Sequence, residues 1–119
     1  MGNILKMKGS EMVILVPAEL DHHSAEKIRR EADRILIGQR VERVIFDFQN
    51  TVFMDSAGIG MIMGRYKLVQ SQGGTVTAIH VKERVRRILT LSGIHKILAL
   101  YEDEPETSKV ERGRNGNGI

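Results

Sequence analysis

Short apolar runs take turns with segments of helical period along most of this chain, and that alternation limits the folds open to it. Residues 12–16, "MVILV", lie between a charged residue and Pro17, which suits a strand buried on both faces. Residues 3–8 supply an edge strand ahead of it, joined through "GSE" as a turn. Asp21 stands where a helix N-cap belongs. Ala25, Ile28, Ala32, Ile35 and Leu36 follow at helical spacing, and Gly38 ends that helix. The next strand covers about 43–48, with Val44, Phe46 and Phe48 on one face. A second helix carries Ile59, Ile62, Met63, Tyr66 and Val69 and stops at Gly73 and Gly74. "TVTAIH" (75–80) reads as a β-branched strand. Val85, Ile88 and Leu89 mark a third, short helix that ends near Gly93, and "KILAL" (96–100) is a last strand. The order β-β-α-β-α-β-α-β predicts an α/β fold with largely parallel pairing through right-handed crossovers. Periodicity leaves open whether the helices cover one face of the sheet or both.

The length of 119 residues suits one domain with one core. Tryptophan is absent and aromatic residues make up only 4% of the chain, so Ile, Leu, Val and Met must fill that core. The absence of cysteine excludes a disulfide scaffold, a thiol nucleophile and a Cys-ligated zinc site. No apolar stretch approaches the roughly 20 residues that span a bilayer. The opening "MGNILKMKGSEM" lacks the apolar centre of a signal peptide, and Lys6 fails to complete a myristoylation motif. A cytoplasmic protein is expected. The densest basic run, "VKERVRR" at 81–87, has no interleaved aromatic residues and reads as a solvated helix face rather than a nucleic-acid patch. From Glu102 the chain is charged, carries Pro105 and ends in "GRNGNGI". Residues 1–101 are therefore expected to form the domain, and 102–119 a disordered tail.

The junction "NTVFMDSAGIGMIMGRYK" (50–67) passes from strand to helix through Gly58 and Gly60. Each glycine within a helix costs roughly 1 kcal/mol relative to alanine. Neither phosphate-loop pattern fits: position 63 is Met where a dinucleotide motif needs glycine, and "GMIMGRYK" is no Walker sequence. Ser56 lacks the preceding glycine of a nucleophile elbow, and no spacing nominates His22, His23, His80 or His95 as its base. Asp47 ends a strand as a phosphoacceptor aspartate would, yet the first strand offers only Glu19 in place of an acidic pair. Adjacent His22 and His23 diverge around a helix and do not share a metal ion. Two readings of Ser56 remain. It and Asp55 are ordinary N-cap residues beside packing glycines. Alternatively, the helix start tolerates an added phosphate, and the glycines leave a low backbone for another protein's active site. The second reading describes a phosphorylation site on a docking surface.

"AELDHHSAEKIR" (18–29), "FMDSAGIGMIMGRYK" (53–67) and "LSGIHKI" (91–97) resemble, in order and spacing, the anti-sigma factor antagonists of the STAS domain class. The likeness is strongest to the sporulation branch that antagonises the anti-sigma F factor, and it covers residues 10–101. It implies a single STAS-type domain: a mixed, mostly parallel sheet of about five strands with helices mainly on one face. It implies a non-enzymatic regulator without cofactor or metal, monomeric when free, with no direct contact with DNA or membrane. In the resembled family the serine after Met-Asp, here Ser56, is phosphorylated by the anti-sigma factor, itself a serine kinase with bound ADP or ATP. The unmodified antagonist binds that kinase and frees the sigma factor, and a serine phosphatase restores the serine. The resemblance assigns Asp21, His22, His23, Asp55, Ala57, Gly58, Ile59 and Gly60 to the partner-binding surface around Ser56. Three departures stand out: Ala57 replaces a second serine, Ala18 replaces a glycine, and no C-terminal helix is evident after Tyr101. A ligand- or nucleotide-sensing module without covalent modification is the alternative. The motifs do not separate sporulation from general-stress sigma factors.

Overall fold

The computed structural model describes residues 4–105. Strands β1 (Leu5–Lys8) and β2 (Glu11–Leu15) form a hairpin, followed by the two-residue β3 (Glu19–Leu20) and helix α1 (His22–Gly38). Strand β4 (Arg43–Asp47), the two-residue β5 (Phe53–Met54) and helix α2 (Ser56–Ser71) come next. Strand β6 (Thr75–Ile79), helix α3 (Glu83–Ser92), a 3-10 turn (Ile94–Lys96) and β7 (Ala99–Leu100) complete the order.

The main sheet runs β1-β2-β4-β6-β7, antiparallel in the hairpin and parallel elsewhere, with Met12 opposite Val44 and Val44 opposite Val76. Alternation along these strands sends Met12, Ile14, Val44, Phe46, Val76 and Ala78 into the core with the buried side chains of all three helices. The expected fold class and one-sided helical layer are present. One expectation fails: β2 is not buried on both faces. Met12 and Ile14 are fully buried, while Val13 and Leu15 stay half-exposed on the face away from the helices.

Smaller corrections have local causes. Gly38 is still helical, and the cap falls on Gln39, whose N–H donates to Ile35. The last strand shrinks to two residues because residues 94–96 close a 3-10 turn first. His80 leaves β6 with φ +56, and it alone among the described non-glycine residues has a positive φ. The basic run lies mostly on the exposed side of α3, with Lys82, Arg84 and Arg87 in solvent. Of the expected tail, residues 102–105 form no helix or strand, and 106–119 lie outside the described residues.

Candidate docking face at two helix starts

A second sheet, absent from the sequence reading, organises the site. Strands β3 and β5 pair in parallel, Glu19 with Phe53 and Leu20 with Met54. Thr51 anchors this ladder: its buried hydroxyl donates to the carbonyls of Val16 (3.1 Å) and Pro17 (3.0 Å). The Ala18 carbonyl accepts from the N–H groups of Val52 and Phe53. Ala18 performs this with a negative φ, so the position needs no glycine.

Each strand of the ladder runs straight into a helix through an aspartate. Asp21 caps α1 at φ −104, ψ −172, and Asp55 caps α2 at φ −108, ψ −172. Asp21 accepts from the Ser24 N–H at 3.0 Å, and the Ser24 hydroxyl accepts from the Asp21 N–H at 3.1 Å, a reciprocal cap. The Ser24 N–H and then its hydroxyl hold the Asp21 carboxyl below its ordinary value. Asp55 Oδ1 accepts from Ala57 (2.9 Å) and Gly58 (3.2 Å). Ser56 is therefore the first residue inside the helix and not its cap. It is exposed, and no hydrogen bond joins its hydroxyl to another group among the described residues. Asp55 already occupies two of the N–H groups that a nucleotide phosphate would seek here, those of Ala57 and Gly58.

The two glycines part company. A Cβ on Gly58 would lie 2.7 Å from the Leu20 side chain, which is fully buried and has no room to give. Gly58 thus serves internal packing, and the expectation that it leaves open backbone is wrong. Nothing lies within 4 Å of a Cβ on the exposed Gly60. Only there does an absent side chain leave free surface. Ile59 is half-buried against the core.

The ladder sets the caps Asp21 and Asp55 side by side, with Ser56 next after Asp55 on the exposed start of α2. His22, Ala25, Glu26 and Arg29 of α1 line one groove with Ala57, Gly60, Met61 and Arg65 of α2. His23 lies instead along the outer side of α1 with Lys27, Arg30 and Arg34. Arg65 escaped the sequence reading: it is only 8% exposed, with Nε 3.0 Å from Asp33 Oδ1 across the helix pair. The contact is one of charge without a hydrogen bond: Nε, Nη1 and Asp33 Oδ1 all lack a hydrogen-bond partner among the described residues. Burial pushes the guanidinium below its ordinary value while Asp33 opposes that.

Phe53 (49% exposed) and Val52 (48%) were also missed, although they leave apolar surface exposed on and just before β5, the strand that leads into Ser56. Alternation beside the buried Met54 is the signal that places Phe53 outward. His80 and Asp47 pair at 2.7 Å at the end of β4 and β6, with Asp47 held further by Gln49. No hydrogen bond links any histidine to Ser56 among the described residues. In the same residues no group of three or more His, Asp or Glu side chains could hold a metal, and no helix is long and apolar enough to cross a membrane.

The STAS domain model matches residues 4–107. The chain is 36% identical over 93 residues to an anti-sigma F factor antagonist of Paenibacillus polymyxa, covering 78% of this chain and 80% of that one. The solved structure of the anti-sigma factor antagonist SpoIIAA in its unphosphorylated form superposes with a TM-score of 0.76 at 28% identity, over 93% of this chain and 95% of that one. The phosphorylated form of the Bacillus cell fate determinant SpoIIAA gives a TM-score of 0.70, also at 28% identity, over 92% and 97%. By its fold, its helix starts and these likenesses, the chain belongs to the STAS domain family and stands among its anti-sigma factor antagonists.

Proposed function

We propose that this antagonist works by partner switching, with the Ser56 hydroxyl as the switch. As a member of its family it is a non-enzymatic regulator that binds an anti-sigma factor. The observation that carries the finer reading is the division of labour at the start of α2. Asp55 does the capping, so the exposed Ser56 hydroxyl has no structural bond to lose. Exposed Phe53 and Val52, the open backbone at Gly60 and the polar Asp21 and His22 supply a mixed apolar and polar docking face.

In this reading the anti-sigma factor is a serine kinase. Unmodified Ser56 docks against its nucleotide-loaded form, and the sigma factor is released. Ser56 Oγ then attacks the γ-phosphorus of bound ATP. The Oγ–P bond forms, the bond to the β-phosphate oxygen breaks to leave ADP, and the hydroxyl proton passes to a base on the kinase. A phosphoserine adds about −1.5 to −2 charges beside Asp55 and Asp21. Forced into a desolvated contact, that charge ejects the partner. A serine phosphatase resets the switch. Relationship to the Paenibacillus antagonist favours the sporulation branch, acting in the cytoplasm as a monomer when free.

Intact mass after incubation with ATP and the organism's own anti-sigma F-type kinase tests this reading. The expected product carries one phosphate, mapped by fragmentation to Ser56. An unmodified chain, or a phosphate elsewhere, overturns it.

A further inference from the structure

We infer that the groove between α1 and α2 takes in one side chain of the anti-sigma factor that ends in a carboxamide, whose oxygen accepts from the Arg65 guanidinium. This deepens the proposed function and rests on it for the identity of the partner.

The groove, of about 210 Å³, has small walls and a polar end. Ala25 of α1 and Ala57 and Gly60 of α2 put nothing longer than a methyl group into it, and the buried Met61 lines it as well. Arg29 and Arg65 follow Ala25 and Met61 at a spacing of four residues, about one helical turn on. Glycine destabilises a helix relative to alanine, yet a Cβ on Gly60 would meet nothing within 4 Å. No contact inside the protein requires that glycine, and its missing side chain widens the groove.

What Arg65 lacks is hydrogen bonds rather than counter-charge. It is 8% exposed, and its Nε lies 3.0 Å from Asp33 Oδ1. Nε, Nη1 and that carboxylate oxygen nevertheless have no hydrogen-bond partner among the described residues. Folded proteins supply partners to the large majority of such buried groups. Arg29, the other guanidinium of the groove, is already engaged: it donates to Glu26 through Nε and Nη2, and its Nη1 lies 3.6 Å from Asp33. The charges of Arg29 and Arg65 are therefore matched by Glu26 and Asp33. An incoming carboxylate would meet both acids with no spare positive charge to draw it in. A neutral head that accepts and donates at once suits this end of the groove. The carboxamide of Asn or Gln does so: its oxygen accepts from Arg65, and its NH₂ is left to donate to a neighbouring carboxylate. Its apolar stem suits Ala25, Ala57 and Met61.

The test uses the full chain and the organism's ADP-loaded anti-sigma F-type kinase. Arginine and the methionine methyls are labelled in the chain, and the side-chain amides in the kinase. On complex formation the Arg65 Nε–H resonance should shift and exchange more slowly with water. One side-chain amide of the kinase should show a nuclear Overhauser contact with the Met61 methyl. A complex in which the Arg65 resonance stays in place, or in which Met61 touches no side-chain amide, overturns the inference and leaves the proposed function standing. A chain that forms no complex overturns both. Affinity supplies a second readout. Arg65→Lys keeps the charge beside Asp33 but loses the planar fork, and it should bind the kinase roughly 10- to 100-fold more weakly. A folded Arg65→Lys chain that binds as tightly as the original overturns the inference. The resonances of the unsubstituted complex decide the matter if that variant does not fold.

Discussion

Leu20 holds the start of α2 twice. Its carbonyl accepts from the Asp55 N–H at 3.1 Å, and its side chain fills the space where a Cβ on Gly58 would lie. Two glycines of one turn should therefore answer oppositely to the same substitution. Gly58→Ala drives a methyl into a buried side chain and should destabilise by about 1–3 kcal/mol. Gly60→Ala meets open space and should stabilise by up to roughly 1 kcal/mol, while weakening affinity for the anti-sigma factor. Thermal denaturation and a binding titration on both variants check this. A Gly60→Ala protein that binds as tightly as the original removes Gly60 from the docking face.

Ser56→Ala should fold with a stability change inside about 0.5 kcal/mol, as expected of a surface residue outside any cap. It should resist phosphorylation and retain the anti-sigma factor persistently. Asp55→Ala loses the bonds to Ala57 and Gly58 and should cost about 0.5–2 kcal/mol. Equal losses in denaturant unfolding would show that the serine caps the helix after all.

Much of this fold was legible because its long elements carry long patterns. The stripes of α1 and α3 and the alternation in β4 and β6 each repeat enough to stand out. The ladder of β3 and β5 did not, since two residues show no period and the pairing partner lies beyond a helix and a strand. Gly58 was misread for a related reason: its constraint is Leu20, a contact made only once the ladder exists. Arg65 was passed over because α2 packs against both the sheet and α1, which removes the clean polar side that periodicity relies on. Ser56 and Asp21 were placed through motif likeness and local cap chemistry, which need no long-range contact.

The Asp33–Arg65 pair ties α1 to α2 beneath the proposed docking face. Arg65→Met should cost roughly 1–3 kcal/mol, below the 3–5 of a fully buried pair, because Asp33 reaches solvent and keeps Arg29. Combining it with Asp33→Asn should recover part of that loss. Urea unfolding of the two singles and the double completes the cycle, and strict additivity would mean that the residues do not interact.

Acid should loosen α1 in a defined window. The Asp21 carboxyl is held low in the folded chain by Ser24, so its contribution is complete above about pH 4 and fades as pH falls through the lower folded value. Glu26 is pulled from 4.5 to about 2 by Arg29, so that pair weakens between those values. The Ser24 amide should lose protection against hydrogen exchange, relative to its intrinsic rate, as pH falls from 5 to 2. Added salt should weaken the exposed Glu26 pair and leave the cap in place. A Ser24 amide that follows the intrinsic trend alone argues against the cap's role.

The ladder of β3 and β5 shares no strand with the main sheet. On the proposed function, partner choice and foldability are consequently written in different parts of the chain. Substitutions at 18–19, 22–23, 52–53 or 60 change exposed surface near the two helix starts without entering the packed layer of Met12, Ile14, Val44, Phe46, Val76 and Ala78. A duplicated gene of this kind can drift toward a new anti-sigma factor by surface changes alone. Leu20, Gly58 and the two capping aspartates are the fixed frame that keeps such divergence from misplacing the serine.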